Sequence, residues 1–344
     1  MKKHVNIPIF IPHLGCPNQC VFCNQRTISG VDTFDIFSVK KQIDDALETI
    51  HSSQEVEIAF FGGSFTGIDR ELMVSLLKLA NEYILCGRVK SIRCSTRPDY
   101  INNEILDLLK KYGVETIELG LQSTSDKVLT ISKRGHSCLD EENACRLITE
   151  SGFNLVGQMM IGLPDSTLVD EINTAKFIVD MGAVEARIYP TIVFRDTELY
   201  EMAKNEAYSP IELIDAIERS AKVLQIFDEC NVDVIRIGLC SSDNLMNEKK
   251  YYAGPNHPAL GEMVENALFY NKISDHLSKD RIYSGVILHV YVAKGSLSKV
   301  IGQKKSNKIK LIREYGFADV KFKEDSCLSG YELKIEEERK RECT

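Results

Sequence analysis

No stretch of this sequence stays apolar for the roughly 18 to 20 residues that a bilayer-spanning helix needs, so a transmembrane segment is not expected. The N-terminus, Met1-Lys2-Lys3-His4-Val5-Asn6-Ile7-Pro8, lacks the apolar core and small-residue cleavage site of a secretory leader. There is no internal repeat and no low-complexity tract. Nor is there an excess of basic charge, since 42 Lys and Arg stand against 50 Asp and Glu. The net charge of -8 excludes nucleic-acid binding over the whole surface and leaves room only for a local basic patch. A disulfide framework is excluded as well, because the 11 cysteines are odd in number and the chain is large and without an export signal. A cytoplasmic protein is the expectation.

What is present is the pattern of an α/β protein. The 344 residues allow one large domain and a smaller appendage. Strands are expected at Ile7–Ile11, Val56–Phe61, Ser91–Ser95, Thr116–Leu121, Leu155–Ile161, Ala186–Thr191 and Asp233–Gly238. Helical patterns lie between them at Val39–Ile50, Glu71–Glu82, Asn102–Tyr112, Asp140–Ser151, Val169–Met181 and Ile211–Cys230. Strand and helix in steady alternation imply crossover connections and a parallel sheet, and a barrel or partial barrel fits best. The nearly all-apolar runs Ile58-Ala59-Phe60-Phe61 and Met159-Met160-Ile161 suit strands covered on both faces. Residues 1–240 form this barrel, 241–283 a linker and boundary helix, 284–335 a small α/β unit, and 336–344 a charged tail, frayed or ending as a solvated helix.

In such barrels the chemistry gathers at the C-terminal ends of the strands, and the motifs fall there. Gly15-Cys16-Pro17-Asn18-Gln19-Cys20-Val21-Phe22-Cys23 follows strand 1 and sets three thiols at C-x3-C-x2-C. Thiolates hold iron–sulfur clusters, and three ligands leave one iron of a cubane open. A structural zinc site would want a fourth Cys or His, for which His13 is available. The other eight cysteines lack ligand spacing and read as buried or free thiols. Gly62-Gly63-Ser64 ends strand 2; the bland alternative is a tight turn. Arg97, in Ser95-Thr96-Arg97-Pro98-Asp99, can hold a carboxylate or phosphate as a fork, or can pair with Asp99 on the surface. Gln158 points from strand 5, either to a ligand or to a core partner.

The cysteine spacing, with Phe22 before the third thiol, resembles the signature of the radical S-adenosylmethionine (SAM) superfamily. The resemblance implies a radical SAM partial (β/α)6 TIM-like barrel with an oxygen-sensitive [4Fe–4S] cluster on Cys16, Cys20 and Cys23. It further implies SAM on the open iron and an electron donor such as a flavodoxin or ferredoxin. SAM would then be cleaved to a 5′-deoxyadenosyl radical. Gly62, Gly63 and Ser64 look like the glycine motif that grips the amino group of SAM. Gln122 and Ser123 resemble the pair that holds its ribose, with Gln158 a second ribose candidate, and Arg134 looks like the arginine that meets its carboxylate. Ser95 stands where the similar oxygen-independent coproporphyrinogen oxidases carry a SAM-contacting glutamate.

Thr96-Arg97-Pro98-Asp99-Tyr100, Glu118-Leu119-Gly120-Leu121-Gln122-Ser123, Met159-Met160-Ile161-Gly162-Leu163-Pro164 and Arg187-Ile188-Tyr189-Pro190-Thr191 are most similar to the radical SAM module of the Elongator catalytic subunit. Those enzymes modify wobble uridines of tRNA and carry an acetyltransferase domain, for which the residues after the boundary helix are too few. In the small unit, Gly302-Gln303-Lys304-Lys305 lies between two short helices and resembles the KH-domain turn that clamps single-stranded nucleic acid, with Lys305 in place of its second glycine. Seven basic residues and no acid occupy 294–313, and Gly302, Gln303, Lys304, Lys305 and Lys308 are the candidate RNA contacts. An RNA-modifying, tRNA-directed radical SAM enzyme is therefore the leading reading. A coproporphyrinogen-oxidase-like enzyme of a small metabolite comes second, and a non-catalytic Fe–S or zinc RNA-binding module third.

Overall fold

The computed structural model describes residues 4–11, 14–16, 20–24, 34–51, 54–239, 250–278 and 281–339. Seven parallel strands form one sheet: β1 (His4–Ile11), β2 (Glu55–Gly62), β3 (Ser91–Thr96), β4 (Val114–Gln122), β5 (Asn154–Ile161), β6 (Glu185–Pro190) and β8 (Asp233–Ile237), in that spatial order. The intervening helices are α1 (Ile36–Thr49), α2 (Arg70–Leu85), α3 (Asn103–Lys111), α4 (Asp126–Ile131), α5 (Cys138–Glu150), α6 (Leu168–Asp180), α7 (Glu198–Lys204) and α8 (Leu213–Glu229). This is the expected partial barrel, six strand–helix units and a seventh strand. Helix starts follow local chemistry: Ser137 with Asp140 and Thr167 with Asp170 form reciprocal capping boxes at α5 and α6.

Alternation along the strands divides the sheet into an apolar outer face and a polar lumen. Ile58 and Phe60, Ile92 and Cys94, Ile117 and Leu119, and Met159 and Ile161 point outward into one apolar core with the helices. Register places Asn6 beside Glu57, Ala59 beside Arg93, Ser95 beside Glu118, and Gln158 beside Arg187 on the opposite face. Both faces are buried, as expected, but the lumen face is covered largely by polar and charged partners. Runs such as Ile58–Phe61 look uniformly apolar because the lumen there carries Ala59 and Phe61.

A short pair, β7 (Val193–Phe194) and β9 (Tyr251–Ala253), lies antiparallel beyond β6. Helix α9 (Leu260–His276) joins two cores, giving Leu260, Val264 and Leu268 to the large one and Phe269, Tyr270 and Ile273 to a second. That second core belongs to the small unit: β10 (Val286–Val292), α10 (Leu297–Ile301), α11 (Ser306–Tyr315), β11 (Asp319–Glu324) and β12 (Leu333–Arg339). Strand β10 is central, parallel to β11 and antiparallel to β12. Of the charged tail, Glu336–Arg339 belong to the edge strand β12, and residues 340–344 lie outside the described residues. Its consecutive, exposed Glu336, Glu337 and Glu338 put charge on the edge, a device that discourages further strand pairing. Among the described residues no helix is long and apolar enough to cross a membrane.

Candidate functional site

The loop after β1 rests on the turn after β2 through contacts that only glycine permits. A Cβ on Gly63 would lie 2.1 Å from the Leu14 carbonyl oxygen, and one on Gly15 would lie 2.2 Å from that of Ser64. Gly67 fits against the Gly15 carbonyl in the same way, at 2.5 Å. The amides of Gly63 and Ser64 donate to the carbonyls of Ile11 and Leu14, at 2.9 and 3.3 Å. The space at Gly63 is thus filled by the chain's own cysteine loop. Gly62 adopts φ +114, and a Cβ there would lie 2.7 Å from the Ile11 backbone, so it too is a packing glycine. Sequence alone assigns Gly15 and Gly67 no role; their signal is only their reciprocity in space.

Two buried arginines tie this loop to the next strands. Arg134, after α4, donates Nη1 to Cys20 Sγ at 3.2 Å and Nη2 to the Gly120 carbonyl of β4. Arg97 grips Asp99 with both ends of its fork, at 2.9 and 3.0 Å, and donates to the Arg134 carbonyl. The Asp99 pair is the bland alternative for Arg97, realised in a buried setting. Burial works against the Arg97 charge, but the Asp99 bonds outweigh it and hold its pKa above the ordinary value. Ser64 Oγ, wholly buried, accepts the Arg97 amide at 3.3 Å and meets Thr96 Oγ1 at 2.8 Å.

Gln122 carries the clearest mark of a ligand site. It is a non-glycine residue at φ +77, it sits just past a register shift in β4, and among the described residues its buried Oε1 has no hydrogen-bond partner. Strain and an orphaned acceptor together are costly unless something supplies a donor. A ribose hydroxyl is such a donor, so the residue fits a nucleoside. Ser123 is buried beside it and accepts the Ser125 amide at 3.3 Å. Gln158 stands half-buried in the lumen, in register with Gly120 and Arg187.

The thiols fit a cluster through their surroundings. Burial, and after it the neighbouring Cys20 sulfur, pushes the Cys16 thiol up, while Arg97, the Ser64 backbone and Arg134 pull it down. Arg97 and Arg134 thus place positive charge beside the sulfurs, as thiolate ligands of a cluster would require. Among the described residues no three Cys, His, Asp or Glu side chains converge on one ion. A cubane does not ask for that convergence, because each thiolate ligates a different iron. His13, the zinc alternative's extra ligand, lies outside the described residues.

Beneath the rim lies an ionic layer that the sequence does not announce. Arg93 bonds Glu57 at 2.9 Å, Glu118 at 2.9 Å and Glu185 at 3.0 Å. Glu118 also takes Arg187 at 3.0 Å and Ser95 Oγ at 3.4 Å. Burial disfavours the Arg93 charge, but the three carboxylates prevail and raise its pKa further. Ser95 thus has the Glu118 carboxylate of the adjacent strand at hand. Five charged residues on the lumen face of four strands are the signal, legible only when registers are known.

The candidate RNA contacts lie in the small unit. Gly302 is buried at φ +79, and a Cβ there would lie 2.3 Å from Ser306 Oγ. Gln303, Lys304 and Lys305 are exposed, and Lys304 and Lys305 both adopt left-handed φ, 52 and 62. Both lysines thus hold a backbone conformation that favours glycine. Lys308 pairs with Asp319 at 2.7 Å and Lys299 with Glu265 at 2.8 Å, so the basic strip is strongest at the turn itself.

A family model described as the radical SAM superfamily matches residues 10–178, and one described as the radical SAM C-terminal domain matches residues 184–269. The tRNA uridine(34) acetyltransferase of Methanocaldococcus infernus is 30% identical over 248 residues, 59% of this chain and 46% of that protein. An uncharacterised protein of Methanocaldococcus jannaschii is 30% identical over 223 residues, 61% of this chain and 68% of it. The structure of the archaeal Methanocaldococcus infernus Elp3 with its N-terminus deleted shares the fold, with a TM-score of 0.63 at 21% identity over 81% of this chain and 65% of that one. The chain thus spans less than half the length of the acetyltransferase that it matches.

Proposed function

From the premise that this chain belongs to the radical SAM superfamily, a family of enzymes that bind a [4Fe–4S] cluster and SAM, we propose that it modifies an RNA base, with tRNA as the substrate. Cys16, Cys20 and Cys23 are the cluster ligands in this reading. When bound, cluster and SAM supply one-electron cleavage of a sulfonium and, through it, hydrogen-atom abstraction. The observation that carries the reading is Arg134, which reaches from Cys20 Sγ to Gly120 at the end of β4. It spans the gap between the thiol loop and Gln122, where a molecule touching both would lie. Arg134 and Arg97 supply positive charge for a carboxylate there, Gln122 an acceptor for a hydroxyl, and Ser64 a buried brace for the Arg97 backbone.

The RNA part of the proposal rests on two supports. One is the likeness to a relative named as a tRNA uridine(34) acetyltransferase. The other is the exposed Lys304-Lys305 turn between two helices. The test is a comparison of tRNA nucleosides by mass spectrometry between a strain lacking the gene and its complemented parent. Loss of one modified nucleoside, restored by wild-type protein and not by Cys20→Ala, is expected. An unchanged nucleoside profile with an altered metabolite would move the assignment to a small-molecule substrate.

A further inference from the structure

Strand registers set Gln158 of β5, Arg187 of β6 and Arg236 of β8 side by side on the lumen face. The outward-facing partners confirm the direction, because Ile188 and Ile237 pair with each other and pack into the apolar core. A register shift before Arg187 is what turns Arg236 inward. Adjacent strands stand about 4.8 Å apart, and like charges directly opposite each other are destabilising. Arg187 is compensated: its Nε lies 2.8 Å from Glu118 and its guanidinium stacks 5.4 Å over the Phe61 ring.

Arg236 has no such compensation. Glu57 is taken by Arg93 and His4, Glu118 by Arg93 and Arg187, and Glu185 by Arg93. Among the described residues the half-buried Arg236 side chain finds neither an ion pair nor a hydrogen bond. A half-buried guanidinium beside another one needs an anion, and the fork geometry suits two oxygens of one group.

We infer that Arg236, with Arg187 and Gln158, forms an oxyanion site in the lumen that holds a phosphate or carboxylate of the substrate. This rests on the lumen being the substrate chamber of a radical SAM enzyme, and not on that substrate being RNA. Arg236 is a specificity residue in this account, placed to hold the substrate's charged group. Both sources of the chemistry share the site: a nucleotide brings a phosphate, a small metabolite a carboxylate.

The test is calorimetric titration of the reconstituted, SAM-loaded enzyme at low ionic strength with inorganic phosphate, uridine 5′-monophosphate and citrate. Arg236→Gln should weaken binding of the preferred oxyanion by about tenfold or more, and Arg236→Lys by less. Iron content and slow 5′-deoxyadenosine release without substrate should be unchanged in both variants. Preference for the nucleotide identifies a phosphate-bearing substrate, and preference for citrate a carboxylate. Lys304→Glu with Lys305→Glu should leave this binding intact. The site is refuted if no oxyanion binds the wild type, if Arg236→Gln binds as the wild type does, or if the lysine variant abolishes binding. Failure of the radical SAM reading looks different, with neither iron nor 5′-deoxyadenosine in any of the proteins.

Discussion

Arg134 holds its Nη1 3.2 Å from Cys20 Sγ, and its backbone carbonyl accepts a bond from Arg97. One residue thereby links a thiol of the β1 loop to the β3 and β4 ends of the barrel. The contact places a fixed positive charge against the sulfur of a proposed cluster ligand.

Removing that guanidinium should weaken the cluster without unfolding the barrel. A hydrogen bond to a charged group contributes about 1.5 to 3 kcal/mol. Arg134→Met should therefore lose iron to a chelator about tenfold faster than wild type or more, with Arg134→Lys between them. Equal rates of iron loss would mean that Arg134 does not act on the cluster loop.

Gly63 offers a steric test. Alanine there puts a methyl 2.1 Å from the Leu14 carbonyl, and both partners are backbone, so neither yields easily. Overpacking of this kind costs about 1 to 3 kcal/mol. Gly63→Ala should lower the melting temperature and the iron content together. Gly261 in α9 has 3.6 Å of room, and its alanine variant should be neutral or gain up to about 1 kcal/mol. A Gly63→Ala protein with full iron content would show that the loop does not depend on this seat.

Much of this arrangement is legible in the sequence, and the reason differs by residue. The seven strands stand out because β-branched and apolar runs recur between amphipathic helices. Arg97 and Arg134 stand out as motif residues, but their mutual bond does not, since 37 positions separate them. Gly67 and Gly15 look like any turn glycines until the two loops are brought together. Arg93 and Glu57 are hidden by their surroundings, because a charge inside an apolar strand is interpretable only when its partner on the next strand is known. Arg236 depends on the register shift between β6 and β8, which no local pattern announces.

The buried pair of His136 and Glu141 sets a pH dependence. Their side chains are wholly buried, with Nε2 and Oε1 2.9 Å apart. Burial, then the charges of Arg134 and Arg97, pulls His136 from 6.5 to about 3. Between those values the unfolded chain binds a proton that the folded chain does not, so this stabilisation is lost as pH falls. Burial pushes Glu141 well above its ordinary 4.5, so above that pH the folded chain holds a proton that the unfolded chain releases, and stability is lost as pH rises. Glu141→Gln removes only the second effect. It should gain on wild type with rising pH by up to about 1.4 kcal/mol per unit. Parallel melting curves for the two proteins from about pH 5 to 8 would contradict this assignment of charge.

RNA binding at the Gly302–Lys305 turn should depend steeply on salt, because each neutralised phosphate releases condensed counterion. Lys304→Glu with Lys305→Glu should reduce affinity for bulk tRNA by about tenfold or more and flatten the salt slope by about one to two, leaving sequence preference unchanged. Lys308→Glu should matter less, since Asp319 already holds Lys308 at 2.7 Å. Filter binding at low and moderate salt decides it, and indifference to the double substitution removes the turn from the RNA surface.

The central claim is that the Cys16, Cys20 and Cys23 loop carries a redox-active cluster facing a SAM site built from Arg134, Arg97 and Gln122. The most direct test is anaerobic reconstitution, reduction with dithionite, addition of SAM, and quantification of 5′-deoxyadenosine and methionine. The account predicts about four irons per chain and slow, equimolar release of the two products by wild type. Cys16→Ala, Cys20→Ala and Cys23→Ala should each abolish the release, and Cys86→Ala and Cys230→Ala should not. Stoichiometric zinc without iron, or S-adenosylhomocysteine as the only product of SAM, would contradict it.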